Sequence, residues 1–220
     1  MNIRLWLVFA TLAKSVAVLG QPPFIDSQFF DGGYVTGYAA NLNVGDSVLN
    51  ITNDGLYGGF YSAGATANNC ANIYVMDPQE EEIACCSCLN TPNGLYSLSV
   101  KNDLIGNTLT PAAPSSVVIK VLTSEPAADS NGNLTICNPA TAGSAFALIL
   151  GGATKAWGST IEPAASAGTY TPLAVPYLSG NLSASEYTSL TSVCNLIQAE
   201  GSGFGICNAC RVGALQGAKK

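Results

Sequence analysis

The 220-residue chain has no histidine, and charged residues make up only 10% of it, against about a quarter of an average soluble protein. Without imidazole, the chain lacks the usual base of Ser-His-Asp and Cys-His hydrolases and the nitrogen ligand of mixed zinc sites. The Gly-x-Ser-x-Gly motif of a nucleophile elbow is also missing. These absences favour a protein that is not an enzyme, and the sequence indicates no catalytic residue, no metal site and no cofactor.

No segment has the roughly 20 consecutive apolar residues that a membrane-spanning helix needs. The N-terminal apolar run, residues 5–13, follows Arg4 and precedes the small residues at 15–20, which is the order of regions in a signal peptide. We therefore interpret residues 1–20 as a signal peptide. The mature chain is expected to be secreted or displayed at the cell surface, with the periplasm as an alternative, and not to be an integral membrane protein.

Basic residues are scarce: eight of them stand against 14 acidic residues and give a net charge of −6. Removal of Arg4 and Lys14 with the leader leaves six against 14, a net charge near −8. The remaining basic residues are scattered, for example at Lys101, Lys120 and Lys155. Because nucleic acids are bound through clustered lysine and arginine, a nucleic acid is not an expected partner.

Cysteine, in contrast, is abundant, and its eight positions predict a disulfide framework. They are Cys70, Cys85, Cys86, Cys88, Cys137, Cys194, Cys207 and Cys210. An even number of cysteines behind an export signal favours disulfides over a thiolate metal site. On a strand, Cys86 and Cys88 share one face and Cys85 points to the other, so each of the three is expected to have a distant partner.

The pairing itself stays open, because eight cysteines can be connected in many ways. The simplest arrangement joins Cys207 to Cys210 and uses Cys70, Cys137 and Cys194 as partners of the cluster. Alternatively, the Cys-x-x-Cys motif at 207–210 is a redox centre, since such a motif at a helix start lowers a thiol pKa. Its position after the Gly-rich segment 201–205, rather than after a strand of a βαβ unit, makes this the weaker interpretation.

Between the leader and residue 182, short runs rich in β-branched and aromatic residues alternate with turn residues. The predicted strands are 34–44, 47–52, 72–76, 83–89, 95–100, 116–122, 134–137 and 146–150. Asn93-Gly94 and Asn131-Gly132 predict hairpins, because Asn-Gly tolerates the positive φ of hairpin turns. We predict a mainly β fold, an antiparallel β-sandwich stabilised by disulfides, with a partly open barrel as the alternative.

Two stretches depart from this strand pattern. Residues 139–180 are rich in Ala, Gly and Pro and predict long loops or irregular edge strands. From Ser183, a capping box with Glu186 precedes a C-terminal helix, which Gly201 and Gly203 end. Its apolar face is formed by Tyr187, Leu190, Val193, Cys194 and Ile197. We therefore divide the chain into a signal peptide (1–20), a β-sandwich domain (21–182), and a helix with a Cys-x-x-Cys tail (183–220) packed on that domain.

An aromatic and Gly-rich segment provides the candidate ligand surface. Tyr57, Phe60 and Tyr61 are suited to stacking on a sugar ring or to contacting a protein. Packing in the core or in turns is the simpler interpretation of these residues.

Two polar clusters have equally simple structural explanations. Asp77 with residues 80–82 is interpreted as a solvated turn between strands rather than as a catalytic or calcium site. Asp129, Asn131 and Asn133 match the first ligands of a calcium loop, but the required Gly and closing Glu are misplaced or missing. A hairpin turn is therefore the preferred interpretation of this cluster.

Several motifs are similar to those of a group of uncharacterised exported bacterial proteins rich in cysteine. They are Ile83-Ala84-Cys85-Cys86-Ser87-Cys88, Thr91-Pro92-Asn93-Gly94, Ser97-Leu98-Ser99-Val100 and the segment from Gly201 to Arg211. The resemblance implies export, a bacterial source and a shared cysteine framework, and it transfers no catalytic or binding residue.

The predicted function is that of an exported structural or interaction module, at the cell surface or outside the cell. Its expected partners are an extracellular protein, a glycan or further copies of the chain. The alternatives are carbohydrate binding or carboxylate-based carbohydrate cleavage, and thiol redox chemistry at the C-terminal Cys-x-x-Cys.

Overall fold

The computed structural model describes residues 33–55, 68–142, 154–166 and 168–210, which contain two packed antiparallel sheets. The strands are β1 (Tyr34–Ala39), β2 (Val48–Asn53), β3 (Asn69–Met76), β4 (Glu82–Asn90), β5 (Leu95–Ser99), β6 (Val117–Ser124), β7 (Ala127–Ala128), β8 (Leu134–Ile136), β9 (Thr154–Pro163), β10 (Tyr170–Pro176) and β11 (Leu178–Ser179). A π-helical turn (Val100–Leu104) follows β5, and the helix α1 (Ala184–Ala199) follows β11.

The strand orders define a sandwich. The larger sheet has the order β11-β1-β6-β3-β4 and the smaller sheet β10-β9-β2-β5, while β7 and β8 form a separate short hairpin. In the described part of the chain neither sheet closes on itself. The predicted mainly β sandwich with a C-terminal helix is confirmed.

The core between the sheets follows from the alternation of side chains along the strands. Ile51 of β2, Ile73 of β3 and Ile119 of β6 are fully buried in one apolar cluster. Burial of each such side chain contributes about 1.5–3 kcal/mol, so this cluster is a main source of stability. Asn50 and Thr52, which alternate with the buried residues of β2, point away from the core.

A second apolar cluster covers the opposite face of the larger sheet, where α1 packs. Tyr74 of β3 and Leu122 of β6 belong to this cluster together with Leu190 and Ile197 of α1. The strands β3, β4 and β6 of the larger sheet are therefore packed on both faces, between the helix and the smaller sheet. This three-layer arrangement explains why β3 is buried along nearly its whole length.

The helix begins and ends where the sequence predicts. Ser183 Oγ accepts a hydrogen bond from the Glu186 N–H at 3.1 Å, and Gly201, with φ of +65°, follows the helix end. The Glu186 carboxylate, which a capping box would turn back on Ser183, instead pairs with Lys120 of β6. This ion pair joins the first turn of α1 to the larger sheet.

Asn93-Gly94 forms a turn, but the hairpin predicted there is wrong. β4 pairs with β3 in the larger sheet, whereas β5 pairs with β2 in the smaller sheet. The turn carries the chain between sheets and is held by a 2.7 Å bond from the Asn93 N–H to Asn53 O. The positive φ of Asn93, +60°, fits the turn, but turn chemistry alone does not select the strand partner. The Asn131-Gly132 hairpin between β7 and β8 is confirmed.

The segment 154–176 is more regular than predicted, because β9 and β10 form an antiparallel hairpin of the smaller sheet. Pro163 and Pro176 lie at strand ends, and Pro172 lies on the edge strand β10, where proline is tolerated. The strand predicted at 146–150 and the signal peptide predicted at 1–20 lie outside the described residues. None of the helices in the described ranges is long and apolar enough to span a membrane.

Candidate functional site

All eight cysteines are paired, and three of the four disulfides begin on β4. The pairs are Cys70–Cys137, Cys85–Cys194, Cys86–Cys207 and Cys88–Cys210. Distant partners for the β4 cysteines are confirmed, as is the link from Cys194 of α1 to β4. The predicted Cys207–Cys210 bridge is wrong, and so is the use of Cys70 and Cys137 as partners of the cluster.

The backbone beside β4 explains these pairs. The C-terminal segment runs along the free edge of β4, where the Cys85 N–H donates to Gly205 O at 2.8 Å and the Cys207 N–H donates to Cys85 O at 3.2 Å. The Cys86 and Cys207 Cα atoms are then 5.4 Å apart, and those of Cys88 and Cys210 are 4.8 Å apart, within the disulfide range. Each cysteine of the Cys-x-x-Cys motif therefore faces a cysteine of β4 rather than the other cysteine of the motif.

The alternation predicted for β4 also places Cys85 on the helix side. It bonds to Cys194 of α1, and both are fully buried in the cluster beneath the helix. The two faces of one strand thus hold two different C-terminal elements, the helix on one side and the tail on the other. The covered edge of β4 is also protected from pairing with other chains.

A bulge in β4 brings a carboxyl group to the helix side. Val75 pairs with Ala84, but the next residue of β3, Met76, pairs with Glu82, so Ile83 is an extra residue. Ile83 and Ala84 both lie in the core between the sheets, and the side chain of Glu82 approaches Cys85 and Cys194. The interpretation of Asp77 and residues 80–82 as a solvated turn is therefore wrong for Glu82, which is only 6% exposed, and for the side chain of Asp77, which is buried as well.

Glu82 is a buried acid beside the Cys85–Cys194 disulfide. Its carboxylate and the sulfurs of Cys85 and Cys194 all lie within 4.8 Å of one another. Neither carboxylate oxygen has a hydrogen-bond partner within the described part of the chain. Burial raises the pKa of Glu82 to about 8, an effect that the Lys120 ammonium opposes and the Glu186 carboxylate reinforces. The carboxyl group is therefore mainly neutral near pH 7.

The groups around Glu82 form a small polar cluster beneath the start of α1. The Tyr74 hydroxyl donates to Pro139 O at 2.7 Å, and burial followed by the nearby Glu82 raises the pKa of this phenol. The Lys120–Glu186 ion pair lies beside it. The sequence does not reveal this cluster, because a bulge leaves no distinctive residue pattern.

A second candidate surface lies on the outer side of the smaller sheet. Trp157 of β9, 41% exposed, is directly opposite Asn50 of β2, which in turn is opposite Ser97 of β5. The adjacent row contains Lys155, Thr52 and Leu95. We call these six outward-facing residues the Trp157 face. It combines an indole ring with amide, hydroxyl and ammonium groups on a regular sheet.

Sequence reasoning does not identify the Trp157 face, because the composition of residues 139–180 predicts loops. The alternation of Lys155, Trp157 and Ser159 with less exposed residues is the signal that marks this strand. The predicted ligand residues Tyr57, Phe60 and Tyr61 lie outside the described residues.

The hydrogen bonds of the two acidic turns explain their aspartates. Asp77 Oδ1 accepts from the Gln79 and Glu81 N–H groups at 2.8 and 2.9 Å, which closes the turn before β4. Asp129 Oδ1 accepts from the Asn131 and Asn133 N–H groups at 2.8 and 2.9 Å, and these bonds lower the pKa of its carboxyl. The hairpin interpretation of Asp129 is confirmed.

Comparisons with models of protein families, with curated proteins and with solved structures found no significant match.

Proposed function

We propose that the mature chain is an exported interaction module, secreted or displayed at the cell surface, which contacts its partner through the Trp157 face. The observation that supports this proposal is the exposed Trp157 on a regular sheet whose inner face is packed in the core. Large aromatic residues exposed on a rigid surface commonly anchor recognition, because they bury much area with little loss of conformational freedom.

Export is supported by the disulfides. All eight cysteines are bonded, and disulfides persist in oxidising compartments outside the cytoplasm. The signal peptide expected at residues 1–20 is consistent with this placement. The bacterial source implied by the resemblance belongs to the same proposal.

A glycan is the second candidate ligand, favoured by the groups around Trp157. The apolar face of a sugar ring stacks on an indole, while amide and hydroxyl groups such as those of Asn50 and Ser97 bond to its hydroxyls. The strongly acidic chain favours a neutral or basic polymer over a polyanion. A protein partner would use the same tryptophan as an anchor.

The test compares wild-type protein with Trp157→Ala and with Phe204→Ala. Phe204, 57% exposed, lies in the C-terminal segment beside β4 and is the matched aromatic control. Binding is measured on a glycan array and on immobilised proteins from the cell surface. We expect Trp157→Ala to weaken binding at least about tenfold while Phe204→Ala leaves it unchanged.

The pattern of ligands separates the candidates. Trp157-dependent binding to a glycan supports carbohydrate recognition, and Trp157-dependent binding only to a protein supports a protein partner. Binding that is equally strong in Trp157→Ala, or wild-type protein that binds neither class, contradicts the proposed surface.

A further inference from the structure

Glu82 lies in an unusual place for a carboxylate. It is buried beside two sulfur atoms, and the described part of the chain offers neither of its oxygens a hydrogen-bond donor. A buried polar group without a partner is costly, and in native proteins such a group commonly binds an ion or a water molecule. The two neighbouring sulfurs are themselves metal ligands when they are thiolates.

We propose that Glu82, Cys85 and Cys194 form a binding site for one thiophilic divalent cation, such as Zn²⁺, in the dithiol form of the protein. The cation and the Cys85–Cys194 disulfide are then alternative links between α1 and β4. This site is separate from the Trp157 face and does not depend on the function proposed for that face.

The geometry requires only a small rearrangement. Zinc binds cysteine sulfur at about 2.3 Å and carboxylate oxygen at about 2.0 Å, so tetrahedral sulfur ligands are about 3.8 Å apart. The three ligand atoms already lie within 4.8 Å of one another. The two sulfurs have to separate by less than about 2 Å once their bond is open. Three protein ligands leave the fourth position of a tetrahedral ion for water.

The charges and protons balance. Opening the disulfide takes two electrons and two protons from a dithiol reductant, which itself becomes a disulfide. The newly synthesised chain in a reducing compartment is already in the dithiol form and needs no reductant. Binding of a divalent cation then releases one proton from each thiol and one from the neutral Glu82 carboxyl. Three anionic ligands leave a net charge of −1, close to the Lys120 ammonium.

A cavity adjoins one of the three proposed ligands, Cys85. A cavity of about 220 Å³ is lined by Cys85 and by Gln198 of α1, among other residues. Gln198 is exposed, and its Nε2 lies 3.9 Å from Cys194 Sγ. The cavity therefore reaches the residues that surround the disulfide.

The site is distinguished from the other cysteines by its third ligand. Among the described residues, no other group of three cysteine, aspartate or glutamate side chains brings its ligand atoms within 4.8 Å of one another. The bulge at Ile83 is what places Glu82 on the same side of β4 as Cys85. Without that extra residue, strand alternation would direct Glu82 to the opposite face.

The experiment uses the full mature chain, reduced without oxygen by a phosphine and then incubated with Zn²⁺ or with buffer alone. Iodoacetamide labels the free thiols, and peptide mass spectrometry measures the labelling rate of each cysteine. We expect Zn²⁺ to slow labelling of Cys85 and Cys194 at least about tenfold and to leave Cys70 and Cys137 unaffected. Glu82→Gln should lose this protection, whereas Glu81→Gln, its exposed neighbour, should retain it.

Several outcomes would overturn the proposal. These are equal labelling with and without Zn²⁺, protection that survives in Glu82→Gln, and protection shared by all eight cysteines. Full reduction that unfolds the chain would give fast labelling at every cysteine, and it would show that the site does not form. A second measurement uses Co²⁺ absorption, in which the bands of a tetrahedral thiolate complex should weaken in Glu82→Gln and persist in Glu81→Gln.

Discussion

The two sheets of the sandwich are held in contrasting ways. The strands β3, β4 and β6 of the larger sheet are covered on both faces, and every disulfide has one cysteine on β3 or β4. The smaller sheet has no cysteine in β2, β5, β9 or β10, and its edge strand β10 is mostly exposed. One sheet is thus cross-linked by disulfides, whereas the other is held by its core packing and strand pairing alone.

Removing a disulfide from the larger sheet should have the largest effect on stability. Replacing Cys70 and Cys137 with Ala opens a loop with a sequence separation of 67 that no other bridge shortens, which should cost about 4 kcal/mol. Replacing Cys85 and Cys194 should cost about 3 kcal/mol, because the adjacent Cys86–Cys207 bridge already reduces that loop to roughly 15 residues. Urea unfolding measures both values. Equal losses, or none, would contradict this ranking.

The pH dependence of the larger sheet should be governed by Glu82. Its pKa is 4.5 in the unfolded chain and about 8 in the folded protein. Between these values the folded state holds a proton that the unfolded state has lost, so stability falls as pH rises and levels off above about pH 8. Glu82→Gln should remove this slope, and at the upper end of the range the variant should be more stable than the wild-type protein. Urea unfolding between pH 4.5 and 8 should show that Glu81→Gln keeps the pH dependence of the wild-type protein. The same pH dependence in Glu82→Gln would show that Glu82 is not its source.

The backbone should open more easily in the smaller sheet. Amide protons of β3, a central strand of the larger sheet, should exchange with deuterium at least about tenfold more slowly than those of the edge strand β10. Exchange followed by mass spectrometry of peptides from both strands measures this ratio. Similar protection in the two strands would mean that the sandwich opens as one unit.

Trp157→Ala should have the smallest effect on stability. The side chain lies on the outer face of the smaller sheet, so its removal leaves no cavity in the core, and the free energy of unfolding should fall by only about 1 kcal/mol. Urea unfolding of this variant is also the control for the binding experiment. A larger loss would identify Trp157 as a packing residue.

The features predicted from the sequence are those determined by local periodicity. In any strand, the side chains of Cys86 and Cys88 lie on the face opposite to that of Cys85. Ser183 and the spacing of the apolar residues in α1 predict a helix, whatever surface that helix packs against. The strand partners of β5, the pairing of Cys207 and the β4 bulge depend on contacts between residues distant in the sequence. The strand that contains Trp157 is not predicted, because the Ala, Gly and Ser residues around it favour strands only weakly. Its pairing with β2 stabilises the strand instead.

Two cysteines of β4 bond to the C-terminal segment, which is the last part of the described chain to be synthesised. Cys207 and Cys210 follow their partners by 121 and 122 residues, so Cys86 and Cys88 emerge long before the chain contains the residues that bond to them. Cys70 can pair after 67 residues and Cys85 after 109. During synthesis, the native disulfides therefore become possible one after another, in the order in which their second cysteines are added to the chain. A chain that ends before Cys207 therefore keeps free thiols at Cys86 and Cys88, which iodoacetamide would label.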